Sequence, residues 1–152
     1  MLGFLNIKTP TTLLNRDISV IDMNISILVL SAPYSSQGAY SAYRYTQAAL
    51  KSGIKVHRVF FYQDGVHAGA NLATPPQDEF NLYTAWQDLK LEYELDLVVC
   101  IAAAARRGLI NAAEAKRHNK QHSNLANGFE LSGLGQLVEA CALSDRLVTF
   151  GY

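Results

Sequence analysis

A chain of 152 residues is long enough for one domain with a hydrophobic core, and it is short for two. Its 13 basic residues equal its 13 acidic residues, so it lacks the positive charge typical of nucleic-acid-binding proteins, and direct RNA binding is not expected. Two cysteines do not make a disulfide framework, and no apolar run reaches the ~20 residues that span a bilayer. We therefore expect a cytoplasmic protein that makes no use of a membrane.

Residues 1–22 differ in character from the rest of the chain. They are polar and irregular, Pro10 interrupts them, and they lack the basic region and cleavage site of a signal peptide. A second methionine, Met23, stands directly before a strong strand pattern. We expect either a loosely held N-terminal extension over 1–22 or a functional start at Met23, with the folded domain covering 23–152.

From Asn24 onward, apolar runs alternate with helical patterns. The runs are mostly apolar throughout, which is typical of strands that are buried on both faces of a parallel sheet. Alternation of such strands with helices predicts a single three-layer α/β/α domain with a mainly parallel sheet of about five strands. The predicted strands are "ISILVL", "IKVHRVFFY", "LDLVVCIA", "FELSG" and "DRLVTF".

Helices are predicted between these strands. The first covers Ala39–Lys51 and ends before Gly53. The second lies within "TPPQDEFNLYTAWQDLKLEYE", where Asp78 and Glu79 fit a helix N-terminus. Its apolar face is Phe80, Tyr83, Trp86, Leu89 and Tyr93, at spacings of three and four. Shorter helical segments are expected in "DGVHAGANL", "NAAEAKRHNK" and "LGQLVEACALS".

Chemistry in open parallel sheets collects beyond the carboxyl ends of the strands. Cys100 ends the third predicted strand, and the alanines that follow it favour a helix. A helix N-terminus and nearby cations both favour the thiolate, and they would favour a persulfide anion in the same way. Arg106 and Arg107 supply the cations, for anion stabilisation or for docking of a partner. Cys100 is thus a candidate nucleophile, with core filler as the open alternative.

Cys141 provides a comparison. With Leu134, Leu137 and Val138 it forms one helical stripe, so we expect it to be a core residue.

Other motifs fit less well. Cys100 and Arg106 match the C-x5-R spacing of a phosphatase loop, but the intervening alanines favour a helix over an anion-binding loop. "GLGQLV" lacks the third glycine of a dinucleotide-binding loop and is expected to be a turn that opens a helix. His118 and His122 have no evident third ligand, and His57 fits a packed strand position. No metal and no organic cofactor is expected.

Five segments together carry a family resemblance. They are "APYSSQGAYSAYRYTQAAL", "VFFYQDGV", "LATPPQDEFNLYTAWQDL", "VVCIAAAARRG" and "SGLGQLVEACALSDRLV". In this order they resemble the DsrE-like sulfur-relay family, with TusD-type proteins of tRNA 2-thiouridine synthesis and DsrE-type proteins of sulfur oxidation as the nearest branches. The likeness extends from Met23 to the C-terminus.

The resemblance implies a sulfurtransferase subunit that accepts sulfane sulfur as a Cys100 persulfide and passes it on. It implies paralogous partners in a heterohexamer (TusB/TusC-like or DsrF/DsrH-like), an upstream TusA-like donor and a downstream TusE/DsrC-like acceptor. Modification of tRNA wobble positions is the expected pathway. Dissimilatory sulfur oxidation and a non-catalytic structural role in the same assembly stay open as alternatives.

Overall fold

The structure, a computed structural model, describes residues 23–151, so the expectations for residues 1–22 lie outside the described part of the chain. The described residues form five strands, five α-helices and one short 3₁₀ helix. The strands are β1 (Asn24–Val29), β2 (Lys55–Phe61), β3 (Leu97–Cys100), β4 (Phe129–Ser132) and β5 (Arg146–Phe150). The α-helices are α1 (Gln37–Lys51), α2 (Leu82–Tyr93), α3 (Ile101–Arg106), α4 (Ala112–Arg117) and α5 (Gly135–Leu143), and the 3₁₀ helix is Gln63–Gly69.

The strands form one sheet in the order β4-β3-β2-β1-β5, and all four neighbouring pairs are parallel. From β1 to β4, each new strand is added to the same edge of the sheet. The chain then crosses back over the sheet and places β5 on the other side of β1. Because such crossovers are right-handed, the reversal places α5 on the face opposite to α1 and α2. The predicted three-layer α/β/α domain with five strands is confirmed.

Side chains of β2 show the two faces directly. Phe61 packs against Trp86 of α2 with ring centroids 5.3 Å apart, and Trp86 in turn meets Tyr43 of α1 at 5.4 Å. Arg58, three positions earlier and therefore on the other face, bonds to α5. The apolar runs noted in the sequence are thus buried on both faces, as expected of a covered parallel sheet.

Arg58 is a buried charge that ties three elements together. Its Nε donates to Asp96 Oδ2 at 2.6 Å, and its guanidinium donates to Glu139 Oε2 and to the Gln136 carbonyl at 2.8 Å each. Burial alone lowers the pKa of the guanidinium, but its hydrogen bonds with Glu139 and Asp96 outweigh this effect and raise the pKa above its ordinary value. The network fastens α5 to β2 and to the start of β3.

Helix α2 begins later than the sequence predicts. Asn81 is its N-cap, and its side chain accepts hydrogen bonds from the backbone N–H groups of Tyr83 and Thr84. Asp78 and Glu79 lie in the preceding loop, so their predicted place at the helix N-terminus is wrong. An asparagine oxygen satisfies free N–H groups directly, and this local contact decides where the helix starts.

Cys141 is exposed, so its predicted place in the core is wrong. The stripe of α5 that faces the sheet contains Ala140, which is fully buried, and the partly buried Leu137. Leu134 and Val138 point away from the sheet with Cys141, and Val138 is 69% exposed. Both stripes of α5 are apolar, so hydrophobic spacing alone does not fix the phase of this helix.

None of the helices within residues 23–151 has the length and apolar character needed to cross a lipid bilayer.

Candidate functional site

Cys100 is the last residue of β3 and the residue directly before α3. Its backbone is extended, with φ −62° and ψ 114°, and the helix starts at Ile101. The thiol therefore lies where a strand ends and directly before the first turn of a helix. The sequence predicts a strand that ends at Cys100 and a helix that follows it, and both are present.

The side chain of Cys100 is only 2% exposed. In the sheet its Cα lies opposite that of Ser132, the last residue of β4. The thiol makes no capping hydrogen bond to α3. A buried thiol at a strand end is chemically usable only if the neighbouring loops admit a second sulfur atom, so the packing of those loops matters.

Two of the neighbouring segments differ in how tightly they pack. On one side, the 3₁₀ helix follows β2, and Gly65 within it lies so close to the Val29 carbonyl that an added Cβ would clash with it. On the other side, the chain after β4 is less crowded, because a Cβ added at Gly133, or at Gly135 where α5 begins, would meet no atom within 4 Å. The segment that follows Ser132 is therefore less closely packed than the 3₁₀ helix.

The two arginines of the motif have different positions. The Arg107 Nε donates to Asp64 Oδ1 at 2.8 Å, and its guanidinium also donates to the Ala103 carbonyl at 3.2 Å. Arg107 thereby ties the end of α3 to the 3₁₀ helix. Arg106, the last residue of α3, is exposed to solvent. Arg107 is thus engaged with a carboxylate, and Arg106 is the arginine that is free to face a partner.

Sequence reasoning did not single out Asp64 or Ser132. Asp64 lies in "YQDG", one of the segments at the predicted functional edge, but nothing in its spacing indicates a bond to a residue 43 positions away. Ser132 becomes a neighbour of Cys100 only through the pairing of β3 with β4. The missed contacts are long-range ones.

Two of the histidines have different surroundings, since His118 faces a carboxylate and the Nε2 of His57 is buried with no hydrogen-bond partner among the described residues. His118 Nε2 lies 3.3 Å from Glu114 Oε2 one helical turn away, and His57 lies in β2. Within residues 23–151 there is no group of three or more His, Cys, Asp or Glu side chains arranged to hold a metal ion.

Comparison with known proteins identifies the family. The model of the DsrE/DsrF-like family matches residues 23–150.

The chain belongs to the DsrE/DsrF-like family.

Three relatives are similar over nearly all of their own length. The chain is 47% identical to the putative sulfurtransferase DsrE of Allochromatium vinosum over 129 residues, which are 85% of this chain and 99% of that one. It is 46% identical to the sulfurtransferase TusD of Photorhabdus laumondii, over 84% of this chain and 98% of the relative. It is 49% identical to a sulfurtransferase TusD homolog of Pseudomonas aeruginosa, over 85% and 98%.

A solved structure supports the architecture. The crystal structure of the ychN protein from E. coli matches with a TM-score of 0.68 and covers 84% of this chain and 99% of its own. The sequence identity is 21%, so this likeness concerns the fold alone.

Proposed function

We propose that this chain is a sulfurtransferase subunit that carries sulfane sulfur as a persulfide on Cys100. The observation that carries the proposal is the placement of Cys100 at the carboxyl end of β3 and the start of α3, in a chain whose relatives are named sulfurtransferases. Thiolate chemistry at this place needs no metal and no organic cofactor.

The transfer consists of two exchanges with no net oxidation. The Cys100 thiolate attacks the outer sulfur of a donor persulfide, an S–S bond forms at Cys100, and the donor leaves as its thiolate. An acceptor thiolate then attacks the terminal sulfur on Cys100, the bond to Cys100 breaks, and the Cys100 thiolate returns. Each step moves one sulfur atom, and its rate depends on the thiolate fraction and on access.

Access to Cys100 requires a local movement, because its side chain is buried. We place this movement in the segment after β4, where the uncrowded Gly133 and Gly135 leave the chain room to shift. Arg106, which is exposed, is the proposed docking cation, and Arg107 positions α3 through Asp64.

The proposed pathway is 2-thiouridine modification of tRNA wobble positions, in the cytoplasm, with sulfur received from a TusA-like donor and passed to a TusE-like acceptor. Relatives named TusD support this pathway. A DsrE-type role in sulfur oxidation, with a DsrC-like acceptor, is the second candidate, because the relative named DsrE is equally similar.

We propose further that the subunit works in a heterohexamer with paralogous subunits of the same fold, TusB/TusC-like or DsrF/DsrH-like. The outer face of α5 supports an assembly, since it exposes Leu134, Val138 and Cys141 on a helix with one charged residue, Glu139. Exposed apolar surface of this kind marks protein interfaces.

The test is mass spectrometry of the intact protein after incubation with a persulfide donor. Because Cys141 is a second, exposed thiol within reach of the donor, the assay uses Cys141→Ser as the reference protein. We expect one added sulfur atom on Cys141→Ser and none on the double variant Cys100→Ser/Cys141→Ser. The absence of an adduct in Cys141→Ser would refute Cys100 as the carrier and favour the structural role.

A further inference from the structure

A cavity of about 730 Å³ lies beside the end of α3. Its walls come from three separate parts of the chain: Leu72 after the 3₁₀ helix, Ala105 and Gly108 at the end of α3, and the 118–124 segment after α4. Neither the persulfide chemistry nor the core of the domain uses this space. It is large enough for two or three side chains of a bound peptide.

The cavity is held open by hydrogen bonds within its own wall. The Asn124 side chain accepts from the Ile110 N–H at 3.0 Å and donates to the Gly108 carbonyl at 2.9 Å, while the Asn124 N–H donates to the Ile110 carbonyl at 3.0 Å. An isolated antiparallel bridge between Ala70 and Leu125 joins the segment after the 3₁₀ helix to the segment that follows Asn124. The wall is therefore preformed, which lowers the entropic cost of binding.

The lining combines apolar and basic groups. Leu72, which is 73% exposed, and Ile110 supply apolar surface. Lys120 and His122 supply an ammonium and an imidazole, and the lining residues include no carboxylate. The acid on the adjacent helix α4 is Glu114, and both of its oxygens have partners. Its Oε1 lies 3.5 Å from the Arg117 guanidinium, and its Oε2 lies 3.3 Å from His118 Nε2. The cavity thus favours a ligand that is both apolar and anionic.

Cys100 and the cavity lie at opposite ends of α3. Ala105 in the cavity wall lies five residues after Cys100, which corresponds to about 7.5 Å along the helix axis. An extended peptide advances about 3.3 Å per residue, so a chain anchored in the cavity spans this distance with two or three residues. A segment bound here can present a cysteine of its own near the strand end that carries Cys100.

We propose that this cavity binds an acidic peptide segment of a sulfur-relay partner, with an apolar side chain against Leu72 and Ile110 and carboxylates at Lys120 and His122. The proposal rests on the proposed function for the identity of the partner. The binding itself depends only on the cavity.

The test uses short peptides and isothermal titration calorimetry, with no sulfur transfer involved. The probe is Glu-Leu-Glu-Gly-Ser, and the matched control peptide is Lys-Leu-Lys-Gly-Ser. We expect the acidic peptide to bind about 5-fold more tightly than the basic one, because two weak attractions in the first become two weak repulsions in the second. The double variant Lys120→Glu/His122→Glu should abolish this preference.

The control variant is Lys51→Glu, which changes one exposed charge at the end of α1, near the opposite edge of the sheet. In this variant the preference for the acidic peptide should stay within about 2-fold of the wild-type value, because dissolved salt screens the effect of a distant surface charge. Equal binding of the two peptides to the wild type, an unchanged preference in Lys120→Glu/His122→Glu, or a loss in Lys51→Glu would overturn the proposal. Stronger binding of an oligouridylate than of the acidic peptide would overturn it as well.

Failure of this proposal and failure of the proposed function give different results. If Cys100 gains sulfur but the acidic peptide shows no preference, the persulfide role stands and the docking site is wrong. If the peptide binds as expected but Cys100 gains no sulfur, the docking site stands and the carrier role is wrong.

Discussion

The two cysteines differ in their surroundings at the scale of single residues. Cys100 is enclosed where β3 meets α3, whereas Cys141 stands on the outer face of α5. Reaction of a thiol with a bulky reagent depends on access as well as on the thiolate fraction. The two thiols should therefore separate kinetically in the resting chain.

We predict that a bulky maleimide modifies Cys141 in Cys100→Ser at least about 10-fold faster than it modifies Cys100 in Cys141→Ser, because the reagent must wait for local opening at Cys100. The measurement is the labelling rate by mass spectrometry, with both variants in urea as the control, where the rates should converge. Equal rates in the folded state would show that the site is already open.

The sequence predicts the position of Cys100 correctly because that position depends on local features, namely an apolar run followed by helix-forming alanines. It does not predict the partner of Arg107, because Asp64 is distant in the chain. Helical spacing separates Arg106 from Arg107 by about 100°. Only the fold shows which of the two turns toward the 3₁₀ helix.

Among the elements, α5 depends most on a single charged contact. Arg58 joins β2 to Asp96 and to Glu139 of α5, and the arginine itself is buried while both carboxylates are partly exposed. Removing the cation therefore leaves the carboxylates with access to water. The expected loss of stability is smaller than for a fully buried pair.

We predict that Arg58→Met lowers the free energy of unfolding by about 2 kcal/mol, from the loss of hydrogen bonds to charged groups. Urea unfolding monitored by circular dichroism measures it. The control is Arg117→Met, because the Arg117 side chain is exposed and its 3.5 Å contact with Glu114 should contribute less than about 0.5 kcal/mol. Equal losses in the two variants would contradict the role given to the Arg58 network.

Element boundaries show where sequence patterns reach their limit. The apolar spacing identifies α2, but its start is fixed by the Asn81 cap, and Phe80 lies outside the helix, where it packs edge-on against Tyr40 with ring centroids 5.5 Å apart. The phase of α5 is equally ambiguous in the sequence, because Leu137 and Ala140 form an apolar stripe as good as that of Leu134, Val138 and Cys141.

At the scale of the whole molecule, the outer face of α5 is apolar and exposed, and the interface proposed there is a matter of how subunits pack. The apolar strands and their alternation with helices predict the three layers, but they do not predict the strand order, since pairing depends on contacts between distant parts of the chain. In the same way, the sequence cannot tell a helix face that packs on the sheet from one that packs on another subunit. Both are apolar.

We predict that Val138→Asp removes this chain from the proposed complex when it is co-expressed with the proposed paralogous subunits, because the carboxylate would be buried without a partner at the proposed interface. Size-exclusion chromatography with light scattering measures the mass of the complex. Leu91→Asp is the matched control, since Leu91 is 80% exposed on α2 across the sheet. A complex of unchanged mass with Val138→Asp would contradict an interface on α5.

The central claim is that Cys100 both accepts and passes on a sulfur atom, and a two-step transfer tests it most directly. Cys141→Ser is loaded from a donor persulfide that carries radioactive sulfur, separated from the donor, and mixed with a thiol acceptor. We predict that the label leaves Cys100 and appears on the acceptor in equal amount. Label that never joins Cys100, or that stays on it in the presence of the acceptor, would contradict the account.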